Sequence, residues 1–411
     1  MNPRSVVVTG LGPVTPIGVG GPAFHDAQVA ARTGTRTISR FDPAGLPVRI
    51  AGEVDLPAAF ALDGQAAAAT DRCTHLAAAA AHLAVRDSGL DLDAEDPSRI
   101  GVVLGTGIGG VSTWEHTNQV ALERGCTRVS PRFIPMAMPN NPASWIATHY
   151  HTTGPSTAVV TACASGAEAI AVAYLMIAAG QADVVLTGGA EAPITPIVVT
   201  GFANMRALSR RNDEPARASR PFSADRDGFV IAEGAAVLVL ESAGHAAARG
   251  ATVHARLAGV GSTTDAFHMT RPRPDGDCAR RALVTAMSTA DLCPDDVSYV
   301  NAHGTGTQFN DAAEVTAIRG ALGVAADRVP VSSTKSLTGH SLGASGAIEA
   351  VASVQAITTG VIPPTANLDR PDPALGLDFV PAGARAATVR AVLSNSFAFG
   401  GHNVVLAFTR A

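Results

Sequence analysis

Lysine is nearly absent from this chain: of 30 basic side chains one is a lysine, Lys335, and the rest are arginines. The codon bias of a GC-rich genome accounts for that, and alanine-rich stretches such as 77–81 agree. The bias carries no chemistry, but it raises the question of what a compact ammonium does at 335 that a planar guanidinium would not. Charge is scarce as well, with 16% charged against 46% hydrophobic residues. Such a balance asks for buried helices as well as buried strands, and suits a layered fold with an internal helical layer. A formal net charge of −5 excludes the broad basic surface that nucleic-acid binding requires. The five cysteines show no CxxC pair or regular spacing, which excludes a disulfide or zinc framework and points to a reducing cytoplasm. There is no HExxH, and Asp265 with His268 makes a poor ligand set, so no metal site is expected. No apolar run approaches membrane-span length, and the opening residues lack the apolar core and cleavage site of a signal peptide. A soluble, cytoplasmic protein with no membrane partner is expected.

What is present is alternation. Strand-like SVVVTG, RIGVVLG from Arg99, TAVVTA from Thr157 and DVVLTGG from Asp183 are each followed by glycine-rich turns and helical runs, which reads as α/β. A second series follows AAVLVLES: ARLAGVG from Ala255, SYVNAHG from Ser298, VPVSSTK from Val329 and VLSNSFAFG from Val392. At 411 residues, without a Ser/Gly linker, charge run or short repeat, the chain is expected to form two intimately joined halves, 1–250 and 251–411.

Cys163 lies where a β-rich run ends and a strong helical run begins, in TAVVTACASGAEAIAVAYLMIAAG. A helix N-terminus offers unpaired N–H groups and partial positive charge, which favour thiolate and supply donors for an oxyanion. An isolated cysteine in an α/β core is more often inert, and the other four are read that way. Two histidines supply the context. His303 follows a strand in YVNAHGTGTQFND, and His340 stands beside Lys335 in VSSTKSLTGHSLGASGAIEA, with a helix expected to open at about Gly343. Strand ends of this kind face the crevice where α/β ligands bind. A further turn, FAFGG, can bring backbone N–H groups close to a substrate.

In order, flanking residues and spacing, VVVTGLGPVTPIG, GTGIGG, TACASG, RPFSADRDGFVIAEGA, NAHGTGT, KSLTGH and FGGHN resemble the β-ketoacyl-[acyl-carrier-protein] synthase family over essentially the whole chain. The resemblance implies a thiolase fold of two similar halves in a five-layered α-β-α-β-α sandwich, the first carrying the nucleophilic cysteine and the second both histidines. It implies an acyltransferase working as a dimer, with itself or with a chain-length-factor-like subunit. Substrates would arrive on the phosphopantetheine of an acyl carrier protein, with no bound cofactor. By that likeness Cys163 accepts the acyl group, His303 and His340 promote malonyl decarboxylation, and Lys335 with Glu349 forms an ion pair beside them. The N–H groups of Cys163 and Phe399 form the oxyanion hole. Thr305 and Thr307 meet the phosphopantetheine arm, though turn capping is their plainer reading. Ile108, Phe202, Phe229, Thr270, Phe397 and Phe399 are substrate-lining candidates, and core packing competes for the first three. Arg206, Arg210 and Arg211, in MRALSRRN, are candidates for carrier docking, with a solvated charged turn as the alternative.

Other readings fit less well. GTGIGG matches GxGxxG after a strand, but the helical VSTWEHTNQVALERG stands where a dinucleotide site needs a second strand ending in an acid. A degradative thiolase needs a second cysteine that FAFGGHN lacks, and a non-catalytic chain-length factor would lack Cys163. Three departures from the family pattern point away from housekeeping fatty-acid elongation and towards a discrete ketosynthase of a bacterial polyketide or polyene pathway. They are Ala398 in the place of a glycine, which would stiffen a gating loop needing positive φ, Gln308 in the place of a proline, and the nearly uncharged stretch 63–70.

Overall fold

The structure is a computed structural model and describes residues 4–381 and 383–411. Its strands repeat one topology twice. In the first half Val6–Thr15, Ile100–Gly105, Ser156–Val159, Val184–Glu191 and Gly234–Ser242 lie side by side in the order first, fifth, fourth, second, third. In the second half Ala255–Thr264, Tyr299–Asn301, Val331–Ser332, Ala391–Phe397 and His402–Thr409 take the same order. The pairing directions repeat too: the first three in each row are antiparallel, the last three parallel. The halves join where Val6–Val8 run antiparallel to Ala255–Leu257, so the two five-stranded sheets are hydrogen-bonded to each other at their first strands.

Burial on both faces explains why these strands read as apolar runs rather than alternating patterns: every residue of Val6–Thr15 and Val184–Glu191 is buried. On the outer side of the first half lies helix Arg72–Ser88, capped by the Asp71 side chain at Cys73 N (2.9 Å) and ended by Gly89 at φ 61°. Its alanines 77–81 are all buried, and the missing bulk lets the helix backbone lie against the strand at Gly12. The outer side of the second half carries Asp277–Thr289 and Gln308–Leu322. Between the two sheets run Ser165–Ala178 and Ser345–Thr359; in the latter every residue from Ser345 to Ile357 is buried. Together these elements make the expected five layers with an internal helical layer.

Boundaries moved slightly. The helix expected at Gly343 starts at Ser345, after a tight turn over Leu342–Ala344, and VPVSSTK contributes only Val331–Ser332 as strand. No helix among the described residues is long and apolar enough to cross a membrane.

The central helices touch at their N-termini, where a Cβ on Gly346 would lie 2.8 Å from Ala167 Cβ and 2.9 Å from Ala167 N. Gly346→Ala is therefore expected to cost about 1–3 kcal/mol through overpacking, read as a lower urea midpoint with unchanged slope.

Candidate active site

The two halves place matching turns ahead of the central helices. Ala162–Ala164 precedes Ser165, and Leu342–Ala344 precedes Ser345. Ala162 (φ 50°) and Leu342 (φ 44°) both adopt the left-handed region that side chains resist. Such strained residues persist where surrounding packing over-determines the backbone, and here they aim the following residue into the layer between the sheets. In the first half that residue is Cys163, 8% exposed. In the second it is Gly343.

Burial pushes the Cys163 thiol up to about 12, while Lys335 and the N–H groups of Phe399 and Cys163 itself pull it down. The depressed, thiolate-like cysteine expected at a helix N-terminus is not what the structure shows, because desolvation outweighs those donors. The two N–H groups do face the sulfur, as an oxyanion site requires.

His303 leaves the strand Tyr299–Asn301 and is held from behind by Glu314, whose carboxylate accepts from His303 N (2.8 Å), Gly304 N (2.7 Å) and Asn395 Nδ2 (3.0 Å). Lys335 Nζ lies 3.2 Å from His303 Nδ1 and is ion-paired with Glu349 Oε1. An ammonium can only donate, so Nδ1 is the acceptor and the ring proton sits on Nε2. His340 Nδ1 contacts Ser345 Oγ at 2.8 Å, which leaves its Nε2 for the cavity. The rings stand 5.4 Å apart at 84°. Burial, and then the Lys335 charge, hold both imidazoles well below their ordinary value, so both stay neutral. Burial likewise pushes the Glu349 carboxyl up, against the pull of Lys335.

Cys163, His303 and His340 share one cavity of about 410 Å³. Phe202, Phe229, Thr270, Thr305, Thr307, Phe397 and Phe399 line it. Ile108 packs against the cluster that contains Cys163 without facing this cavity. Thr305 and Thr307 hydroxyls hydrogen-bond each other at 2.9 Å, and Thr307, although it precedes helix Gln308–Leu322, makes no side-chain cap; capping is not their part here. Asp265 and His268 belong to the cavity wall. Ala398 is extended (φ −135°), so in this state alanine there is unstrained, and the positive φ falls on Gly400 and Gly401 instead. Gln308 opens its helix and binds Arg226 O at 2.9 Å.

The three arginines divide. Arg206 lines the cavity, whereas Arg211 is tied to Asp225 (2.9 Å) and Asp227 (3.6 Å), and Arg210 donates its backbone N–H to Asp227. Of the three guanidinium groups from MRALSRRN, that of Arg211 is thus neutralised by carboxylates brought from the turn 225–227. Arg271, which sequence reasoning passed over, also lines the mouth, 5.4 Å above the Phe309 ring. Ser345 and Glu314 were missed too; both act through contacts that no local pattern announces.

Known proteins share this sequence pattern and this fold. The family models "Beta-ketoacyl synthase, N-terminal domain" and "Beta-ketoacyl synthase, C-terminal domain" match residues 3–246 and 254–369. The 3-oxoacyl-[acyl-carrier-protein] synthase 2 of Synechocystis sp. is 46% identical over 411 residues, 100% of this chain and 99% of that protein. Among solved structures, a type II PKS acyl-carrier protein in complex with its ketosynthase superposes with a TM-score of 0.93 at 33% identity, covering 100% of both chains. The ishigamide ketosynthase/chain length factor gives 0.93 at 34%, covering 99% of each.

Lys335→Met should cost about 3–5 kcal/mol, since it strands the Glu349 carboxylate in the core. Adding Glu349→Gln should recover most of that in urea unfolding, while activity stays lost because His303 Nδ1 no longer meets a cation.

Proposed function

The chain belongs to the β-ketoacyl synthase family and is a β-ketoacyl-[acyl-carrier-protein] synthase, and we propose that it serves as the discrete ketosynthase of a bacterial type II polyketide or polyene pathway. The observation that carries the catalytic assignment is the joint placement of Cys163 and two neutral imidazoles at the floor of one cavity.

The steps follow from the residues. Cys163 Sγ attacks the acyl thioester; the bond to the carrier thiol breaks, a new thioester forms on Cys163, and the thiol proton ends on the departing carrier thiol. Because the resting thiol is protonated, this proton must leave as the bond forms. Malonyl thioester then loses CO2, and the electron pair of the broken C–C bond moves onto the thioester oxygen. Nε2–H of His303, with His340 beside it, meets that enolate oxygen; neutral donors stabilise it without first being desolvated as cations. The enolate carbon attacks the Cys163 thioester, the second oxyanion is held by the N–H groups of Cys163 and Phe399, and its collapse breaks the C–S bond and releases Cys163 as a thiolate that takes its proton from water. Thr305 and Thr307 offer hydroxyls to the amide-bearing arm in the neck of the cavity.

Partners are proposed on the same footing. Arg206 and Arg271 at the mouth suit the phosphate and acidic face of a carrier protein. Strand Ser156–Val159 forms one edge of the sheet, and Val160 after it, with Trp114, Ile134 and Met138, is exposed and apolar, as a dimer face requires. A chain-length-factor-like subunit is the proposed occupant, supported by the likeness to the ishigamide ketosynthase/chain length factor. The departures at Gln308 and across 63–70 support the polyketide or polyene side. A fatty-acid role is the second reading, from the likeness to a 3-oxoacyl-[acyl-carrier-protein] synthase 2.

Intact-protein mass after incubation with acyl carrier proteins bearing saturated, unsaturated or acetyl groups tests this directly. Wild type should gain one acyl mass and Cys163→Ala none; a homodimer that alone elongates ordinary saturated chains would favour the fatty-acid role. His303→Ala should still load the acyl group but decarboxylate malonyl carrier about 10²–10³ times more slowly.

A further inference from the structure

The glycine-rich run 105–110, which has no phosphate to cradle, surrounds a carboxylate instead. Glu191 ends strand Val184–Glu191 with no exposed surface. Its Oε1 accepts from Thr106 Oγ1 (3.0 Å) and Ile108 N (3.1 Å), and its Oε2 from Gly107 N and Gly343 N (3.0 Å). Each oxygen is therefore doubly engaged, and among the described residues no cation pairs with it. The space is closed as well: a Cβ on Gly107 would lie 2.8 Å from Oε2 and one on Gly343 2.7 Å from it. Glycine at both positions is what lets the carboxylate bridge them.

The bridge joins two functional segments. One is the loop of Ile108, which packs beside Cys163. The other is the turn Leu342–Ala344, which lies between His340 and the Ser345 hydroxyl bound to its Nδ1. Gly343 is also the counterpart of Cys163 in the duplicated fold, so the second half uses its turn to hold the first half's pocket. Resting on the condensing reading above, we propose that Glu191 is a positioning residue whose carboxylate locks the Ile108 loop to the His340 turn, setting acyl fit and enolate geometry together.

Both partners of Oε2 are N–H groups that can only donate, so a proton there displaces one and loosens the lock, whereas a proton on Oε1 reverses the bond to the Thr106 hydroxyl. Burial pushes this carboxyl up to about 7, with the four donors opposing it. The titratable groups around it are the thiols of Cys73 and Cys163, both raised by burial, and His340, held neutral by burial; none changes charge near neutrality. Glu349, the partner of Lys335, is also pushed up to about 7 by burial, so a loss of rate as pH falls through about 7 is assigned to Glu191 by its response to substitutions that touch Glu191 and not Glu349.

The test follows malonyl-carrier decarboxylation against pH, and kcat/KM for short and long acyl carriers, in wild type, Glu191→Gln and Thr106→Val. Wild type should lose rate below about pH 7. Glu191→Gln should lack that limb and shift the short-to-long ratio several-fold. Thr106→Val, which removes one donor and keeps the shape, should move the limb upward by about one unit; it carries the test if Glu191→Gln does not fold. A wild type that loads and condenses while Thr106→Val leaves the limb in place overturns the role of Glu191. A wild type that never loads Cys163 sinks the condensing reading itself, and the role of Glu191 with it.

Discussion

Everything chemical in this molecule turns on one buried contact, the ammonium of Lys335 held between Glu349 and His303. Both members of the ion pair are about 2% exposed, deep in the central layer, where taking charges out of water costs several kcal/mol each. Such a pair is a poor device for stability. Its value lies in what it dictates to the imidazole: a donor on Nδ1 leaves the proton on Nε2, the nitrogen turned towards the cavity. An arginine at 335 would carry the same charge, but its fork is too wide to meet one carboxylate oxygen and one ring nitrogen in so small a space. The lone lysine of an arginine-rich chain is thus retained for shape as much as charge.

The contact works only because the surroundings are dry, and the layered architecture supplies that dryness. A helix covered by sheets on both faces has no polar side, so side chains at its N-terminus meet other backbone rather than water. Burial then sets the groups around that ammonium towards their neutral forms: the Cys163 thiol and the Glu191, Glu314 and Glu349 carboxyls go up, and both histidines go down. That suits a reaction whose charged species, an enolate and a tetrahedral oxyanion, exist only in passing and are met by fixed N–H donors.

Duplication explains the division of labour. Two halves of identical strand order place equivalent turns before the central helices, and only the first carries a thiol. The second carries Gly343, whose missing side chain admits the Glu191 carboxylate and closes the wall behind Cys163. A glycine-rich segment that looks like a nucleotide fingerprint is, in three dimensions, a nest for a carboxylate supplied from a strand some eighty residues later in the chain.

Much was legible without coordinates. The α/β alternation, the buried helical layer, the two histidines and the cysteine at a strand-to-helix turn all follow from local pattern, because period, turn residues and motif spacing are properties of neighbouring residues. The state of the thiol was not legible: a helix N-terminus argues for a thiolate, and only the packing around Cys163 shows that desolvation wins. Nor was the fate of Arg211, since its carboxylate partners come from a turn fourteen residues on, or the place of Arg271 over Phe309. By itself the sequence determined the fold class and singled out the cysteine and two histidines that share the cavity. Tertiary structure alone decided protonation states, the tautomer of His303 and the carboxylate that binds the halves together, because each depends on distance and dielectric between residues far apart in the chain.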